Sequence, residues 1–173
     1  MIILETGRLR LRTMNLDDAQ FYLDLTNDPA WIKNIGDKGL KTIEAARESL
    51  QNGPIAMQQK LGFSLYVVEQ RVDSAPTGLC GLIKRDSLED VDIGYAFLPQ
   101  FRGQGYAREA AAAVLQYGRE RFAFKKLAAI TSPANHASSR LLEELGFTLE
   151  KLTVLKGETR ETRLYGYHYP AAT

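Results

Sequence analysis

A glycine-rich turn in the middle of the chain carries the residues best suited to bind an anion. Arg102, Gly103, Gly105 and Arg108 directly precede a run of alanines with helical spacing. The first turn of a helix presents unpaired N–H groups and partial positive charge, and glycines let an anion approach them closely. Arginines at the rim would add charge-assisted hydrogen bonds. The pattern predicts a diphosphate site, and a tight turn with solvated arginines is the alternative interpretation.

The sequence around the turn narrows the choice of phosphate ligand. A P-loop requires Gly-Lys followed by Ser or Thr, and a Rossmann fingerprint opens a βαβ unit with an acidic residue about 20 positions further on. Neither pattern fits residues 102–108. A phosphate- or nucleotide-binding domain of another kind stays open at this point.

Periodicity in the first half of the chain predicts strands and helices that precede the turn. The alternation in "RLRLRTM" is typical of a strand with one wet face. Asn15 or Asp17 can cap a first helix, and Thr42 can open a second, which we expect Gly53 and Pro54 to interrupt. The segments "FSLYVVE", "TGLCGLIK" and "VDIGYAFL" predict an antiparallel meander.

The second half of the chain predicts one parallel crossover. A helix keeps its apolar period from Ala107 to Phe122, and the strand "LAAITS" follows it. The helix "NHASSRLLEELG" and the strands "FTLEKLTVL" and "TRETRLYGYHY" complete the chain. The order predicts an α+β fold with a mixed, mostly antiparallel sheet of about seven strands. We expect residues 1–173 to form a single domain.

Composition and charge exclude several classes of protein. Lys and Arg number 22 and Asp and Glu 21, so a net charge of +1 argues against a broadly basic nucleic-acid-binding surface. No run of 18 apolar residues is present, and the apolar stretch at the N-terminus is too short for a secretory signal. Cys80 is the only cysteine and has no metal-ligand spacing around it. We expect a cytoplasmic protein without a metal, a membrane or a nucleic-acid partner.

Two motifs, in this order, resemble the GNAT superfamily of acetyl-CoA-dependent N-acetyltransferases. Residues 102–107, "RGQGYA", match the family signature Arg/Gln-x-x-Gly-x-Gly/Ala at the start of its central helix. Asn135 and Ser138 match Asn-x-x-Ser, which precedes a helix that ends in Leu-Gly-Phe, here residues 145–147. The order of elements is most similar to the branch with ribosomal-protein N-terminal acetyltransferases of the RimJ and RimL type.

The resemblance implies a fold with helices on both faces of the sheet and a site for acetyl-CoA as co-substrate. The strand ending at Leu98 would diverge from "LAAITS", and the pantetheine arm would lie between them. The main chain of Phe97 and Leu98 would pair with that arm, an amide near them would polarise the thioester carbonyl, and Asn135 would touch the arm. The pyrophosphate would be held by Arg102, Gly103, Gln104, Gly105, Tyr106, Ala107 and Arg108. The acceptor would be a primary amine, with a protein N-terminal α-amine as one candidate, and the chain a monomer or homodimer.

The resemblance also implies two catalytic roles. Asp92 occupies the strand position where many members carry an acidic base, and Glu89 and Glu69 are its rivals. The usual tyrosine acid is replaced by Leu142, so Ser138 inherits the hydrogen bond to the leaving sulfur. A catalytically weak CoA-binding or regulatory module is the alternative function.

Overall fold

One mixed sheet organises the described part of the chain. A computed structural model describes residues 1–171, so the last two residues of the predicted 1–173 domain lie outside the description. The strands are β1 (Ile2–Glu5), β2 (Leu9–Arg12), β3 (Leu65–Gln70), β4 (Pro76–Ile83), β5 (Asp92–Phe97), β6 (Lys126–Thr131), β7 (Thr148–Val154) and β8 (Glu161–His168). Their order is β1-β2-β3-β4-β5-β6-β8-β7, and only β5 and β6 pair in parallel. The predicted α+β class and mostly antiparallel sheet are confirmed.

Strand β1 adds an eighth strand to the seven that the sequence predicts. It pairs antiparallel with β2, with a register shift between Ile2 and Leu4. Its four residues do not alternate between apolar and polar types, and both of its ends are exposed. A short edge strand of this kind lacks the period of two that identifies a strand in sequence.

Capping side chains precede three of the six described α-helices, α2, α3 and α6. The α-helices are α1 (Ala19–Thr26), α2 (Pro29–Asn34), α3 (Ile43–Leu50), α4 (Ala56–Leu61), α5 (Tyr106–Phe122) and α6 (His136–Glu144). Asn15 caps a 3₁₀ turn that leads into α1, and Thr42 accepts the N–H of Ala45 at the start of α3. Gly53 and Pro54 interrupt the second α-helix as expected, since α3 ends at Leu50, but the chain stays helical beyond it. A π-helical turn over Gln51–Ile55 contains the proline and joins α3 to α4.

Alternation along the central strands builds one core on each face of the sheet. Tyr66 and Cys80 point to the face covered by α5 and α6, where they pack with Val114. Val67 and Leu79, one residue away along the same strands, point to the face covered by α1, α2 and α3. A period of two therefore gives the sheet two apolar faces, and helices bury both of them.

Strands β5 and β6 touch at one end and then separate. Six residue pairs join β4 to β5, but only Asp92 and Ala128 join β5 to β6. The N–H of Ala128 donates to the carbonyl of Val91 at 2.9 Å. The rest of β5 faces a gap where a sheet would ordinarily supply a neighbouring strand. The predicted divergence of these two strands is confirmed.

The close approach of β3 and β4 predicts a position that accepts only glycine. A Cβ on Gly81 would clash with the carbonyl oxygen of Ser64, a backbone atom that cannot rotate away. We expect Gly81→Ala to lower the free energy of unfolding by about 1–3 kcal/mol, as overpacking does in cores. Chemical denaturation measures the effect. Gly53→Ala is the matched control, because nothing lies within 4 Å of its Cβ; equal stability of the two variants would contradict the packing argument.

Candidate active site

A cleft of about 800 Å³ opens where β5 and β6 separate. It brings together ten of the twelve residues expected at the site: Asp92, Phe97, Arg102, Gly103, Gly105, Tyr106, Ala107, Arg108, Asn135 and Ser138. Leu98 and Gln104 do not line it. The Gln104 side chain donates to the carbonyl of Gln100 at 3.0 Å, away from the cleft wall.

The glycine turn has the geometry of an anion cradle. Gly103 and Gly105 adopt φ values of 72° and 81°, a region that L-residues rarely occupy. Helix α5 begins at Tyr106 without a side-chain cap, and its first helical hydrogen bond runs from Glu109 N–H to the carbonyl of Gly105. The amides from Tyr106 to Arg108 precede that bond, so the helix provides no acceptor for them. They can bind phosphate oxygens at the cleft wall.

The two arginines of the turn have different partners. Arg102 donates from Nε to the carbonyl of Phe97 at 3.0 Å and forms an ion pair with Asp28, the N-cap of α2. Its charge is thus largely neutralised by an intramolecular partner, and its contacts connect the turn to β5 and α2. Arg108 is 62% exposed and pairs with Glu144 at 3.3 Å. An exposed pair contributes little, so Arg108 can exchange Glu144 for a phosphate.

Arg8 supports the turn from outside the cleft. Its Nη1 donates to the carbonyl of Gln104 at 2.9 Å, and its Nε pairs with Glu109 at 3.3 Å. The guanidinium lies 4.6 Å from the centroid of the Tyr106 ring. Sequence reasoning missed this role because β2 and the turn are distant in sequence, and the alternation of "RLRLR" marks Arg8 only as a residue of the wet face.

The main chain at the end of β5 corrects the expectation for Leu98. Its N–H donates to the carbonyl of Thr77 at 2.9 Å, and its own carbonyl accepts the N–H of Phe101 at 3.0 Å. Because antiparallel residues alternate in the side to which they direct both backbone groups, Phe97 directs its N–H and C=O away from β4 and towards the gap. Phe97, and not Leu98, is therefore the residue whose main chain faces the cleft.

Asp92 lies at the narrow end of the cleft with no solvent exposure. Its Oδ1 accepts a hydrogen bond from Arg85 Nε at 3.0 Å, and its Oδ2 has no partner among the described residues. Burial raises the pKa of Asp92 to about 6, and the charge of Arg85 opposes that rise. A carboxylate with a free oxygen and a pKa near neutrality is suited to proton transfer.

The two rival carboxylates lie elsewhere. Glu69 is buried in an ion pair with Arg12, which also holds Asp18. Glu89 is exposed and lines a different, smaller depression. Neither side chain lines the cleft, so of the three candidates only Asp92 is placed to receive a proton there.

Asn135 and Ser138 occupy the wall opposite β5. The Asn135 side chain accepts the N–H of Ser138 at 3.2 Å and caps α6. Leu142 is 1% exposed and supplies no polar group. A hydroxyl that sequence reasoning missed comes from the other side of the cleft: Tyr95 Oη lies 2.8 Å from Ser138 Oγ. In the sequence, only the position of Tyr95 in β5 could have indicated this contact, since alternation places its side chain on the face of the sheet opposite to Asp92.

A further part of the cleft has apolar walls and charged side chains of both signs, because Arg160 lines it beside two carboxylates of the β7–β8 hairpin. Trp31 and Met57 line it from α2 and α4, and Glu158 and Glu161 line it from the β7–β8 hairpin. Trp31 is buried, and its Nε1 has no partner among the described residues. This part could hold the non-reacting portion of a second substrate.

Comparison with known proteins identifies the family. The model for the acetyltransferase (GNAT) domain matches residues 8–148, which include both motifs and Asp92. The chain belongs to the GNAT acetyltransferase family. It is 35% identical to YkkB of Bacillus subtilis (strain 168), with 86% of each chain covered. It is 27% identical to the uncharacterized N-acetyltransferase YoaA of the same organism, with 97% of each chain covered.

A solved structure shares the GNAT fold at low sequence identity. RimL, the ribosomal L7/L12 alpha-N-protein acetyltransferase, in complex with coenzyme A has a TM-score of 0.82 and 20% identity, with 97% of this chain and 98% of that chain covered. Within residues 1–171, no group of His, Cys, Asp and Glu side chains could hold a metal ion. No helix in that range is long and apolar enough to cross a membrane.

The open space around Gly103 allows a test of how strongly the binding of coenzyme A depends on the turn. A Cβ there meets no protein atom within 4 Å, so Gly103→Ala would obstruct only a ligand. We expect the Kd for coenzyme A to rise about tenfold or more, because a methyl group would keep phosphate oxygens away from the amides. Isothermal titration calorimetry measures it.

Gly62→Ala is the matched control for this change. Gly62 has φ 80°, and its Cβ would make only an ordinary van der Waals contact of 3.8 Å with Phe122. It lies outside the cleft, so its backbone strain is comparable but its effect on coenzyme A should be absent. An unchanged Kd in Gly103→Ala, or an equal rise in both variants, would show that the turn does not hold the diphosphate.

Proposed function

We propose that the protein transfers the acetyl group of acetyl-CoA to a primary amine by direct attack, with residues 1–173 acting as one catalytic domain. The observation that carries the proposal is the position of Asp92, a buried carboxylate with a free oxygen, in the same cleft as the glycine turn. A diphosphate on the turn and a thioester between β5 and β6 would place the acetyl group near that carboxylate.

The residues present fit acetyl-CoA. The amides from Tyr106 to Arg108, together with the Arg108 guanidinium, supply donors for a pyrophosphate. The N–H of Phe97, which faces the gap, can pair with a carbonyl of the pantetheine arm, as a neighbouring strand would, whereas the carbonyl of Phe97 already accepts a hydrogen bond from Arg102. Asn135 caps the start of α6, and we propose that its side chain also contacts the pantetheine arm.

The reaction requires a neutral amine, and Asp92 is proposed to remove its proton directly or through a water. Attack of the amine nitrogen on the acetyl carbon is followed by cleavage of the C–S bond, whose electron pair leaves with the sulfur. Ser138 is proposed to donate a hydrogen bond to that sulfur. Because a thiol has an ordinary pKa near 8.5, a hydrogen bond is sufficient help for its departure.

The pKa of Asp92 favours an α-amine as the acceptor. An α-ammonium group, with a pKa of about 7.7–8.0, loses its proton to a carboxylate of pKa about 6 far more readily than a lysine ammonium of pKa about 10.4. RimL, whose fold this chain shares, is described as an alpha-N-protein acetyltransferase. The apolar walls around Trp31 support an acceptor with an apolar group beside the amine.

The proposed reaction is tested by an acceptor screen with free thiol as the readout. Peptides that carry an α-amine and an apolar first residue are compared with the same peptides blocked at the α-amine but bearing a lysine. We expect kcat/KM to be at least tenfold higher for the α-amine set, because its proton is removed more easily. Saturable binding of acetyl-CoA without thiol release for any amine would favour the CoA-binding module instead.

The role of Asp92 predicts a pH profile. We expect kcat/KM for the amine to rise as pH increases through about 6, since only the ionised carboxylate accepts a proton. Asp92→Asn should lower kcat at least 100-fold and abolish that ascending limb, a loss typical of a general base.

A folding measurement separates this loss from unfolding. The folded-state pKa of Asp92 lies above its unfolded value of 3.8, so this group destabilises the fold as pH rises from about 4 to 6. Asp92→Asn lacks that penalty and should stay folded at neutral pH. Glu89→Gln is the control variant that removes a carboxylate charge outside the cleft. A wild-type pH profile of kcat/KM in Asp92→Asn would exclude Asp92 as the base.

A further inference from the structure

Tyr95 and Ser138 form the one direct polar contact recorded between β5 and α6 in the described chain. Their hydroxyl oxygens are 2.8 Å apart, and both side chains line the cleft. The Tyr95 hydroxyl also lies 3.4 Å from the main-chain carbonyl of Ser138, which can only accept. Two hydroxyls that bond to each other must divide the roles of donor and acceptor, and that division decides where the Ser138 hydrogen points.

We propose that Tyr95 is a positioning residue that donates its hydrogen bond to Ser138 Oγ and thereby leaves the Ser138 hydrogen free for the sulfur of acetyl-CoA. This inference rests on the proposed function, because it requires the thioester sulfur to lie beside Ser138. No proton leaves Tyr95 in the reaction. The C–S electron pair departs with the sulfur, and the amine proton goes to Asp92.

Chemistry supports this direction of the hydrogen bond. A phenol is a better donor than an aliphatic alcohol, because its conjugate base is more stable. Burial raises the pKa of Tyr95 to about 12, so the hydroxyl keeps its hydrogen throughout the working pH range.

The arrangement strengthens the donor that faces the sulfur. In a chain of two hydroxyls, each bond polarises the next, so a serine that accepts from Tyr95 becomes a better donor to a thiolate. The buried Leu142 provides no hydroxyl on α6 for this purpose. The second hydroxyl is supplied from β5 instead, on the face of the sheet opposite to Asp92.

Kinetics with Tyr95→Phe test the proposal. The change removes only the hydroxyl and keeps a ring that packs against the core. We expect kcat to fall on the order of tenfold while KM for acetyl-CoA stays within about twofold, since the loss concerns bond cleavage and not binding. The same change in a Ser138→Ala background should have no further effect, because Tyr95 acts only through Ser138.

Control variants distinguish the loss of the Tyr95 hydrogen bond from a general disturbance of core packing. Tyr66→Phe removes a hydroxyl from the same core, where it has no hydrogen-bond partner among the described residues, and should leave kcat unchanged. Ser138→Thr keeps a hydroxyl and should retain sensitivity to Tyr95→Phe. A wild-type kcat in Tyr95→Phe, or losses that multiply fully in the double variant, would overturn the proposal.

A binding measurement tests the same contact without turnover. The thiolate of bound coenzyme A is titrated by its ultraviolet absorbance. We expect the pKa of the bound thiol to lie below its free value and to move back towards it in Tyr95→Phe and Ser138→Ala, but not in Tyr66→Phe. An equal pKa in wild type and Tyr95→Phe would overturn the role of Tyr95 alone. Failure to bind coenzyme A would overturn the proposed function, and this inference with it.

Discussion

The single pairing of β5 with β6, at Asp92 and Ala128, is the constraint on which the rest of the site depends. A strand in the middle of a sheet ordinarily satisfies its backbone groups on both sides. Beyond Asp92, β5 is held by β4 on one side only, and Phe97 directs its N–H and C=O into the gap. Although the carbonyl of Phe97 accepts a hydrogen bond from Arg102, this edge of β5 has no neighbouring strand, so an extended chain with amide groups can pair there.

The same separation divides the proposed chemistry between the two faces of the sheet. Side chains of β5 alternate, so Asp92 lies on the face of α1, α2 and α3, whereas Tyr95 lies on the face of α5 and α6. The proton acceptor and the contact to Ser138 consequently come from opposite sides of one strand. A thioester in the gap would meet its amine from one face and release its sulfur towards the other.

Sequence reasoning was successful where a feature depends on neighbouring residues. The period of two in "RLRLRTM", the helical period after the turn and the cap at Thr42 are local patterns, and all three occur in the structure. The location of Asp92 in the cleft was also anticipated, although its proposed role is not thereby tested. Sequence reasoning failed where contacts between distant residues decide the outcome. Three such contacts are the hydrogen bond of Leu98 to Thr77, the ion pair of Arg102 with Asp28 and the hydroxyl contact of Ser138 with Tyr95.

The ion pair of Arg102 with Asp28 changes how the turn must attract an anion. With that guanidinium partnered, and with Arg8 occupied by Gln104 and Glu109, positive charge at the cleft wall comes mainly from the amides of α5 and from Arg108. Main-chain dipoles are fixed in direction and remain in place when no ligand is bound, so they lose no side-chain freedom on binding. Arg102 and Arg8 thus serve chiefly to hold the turn in shape. Because Asp28 also caps α2, which carries Trp31, the same ion pair joins the glycine turn to the apolar wall of the cleft around Trp31.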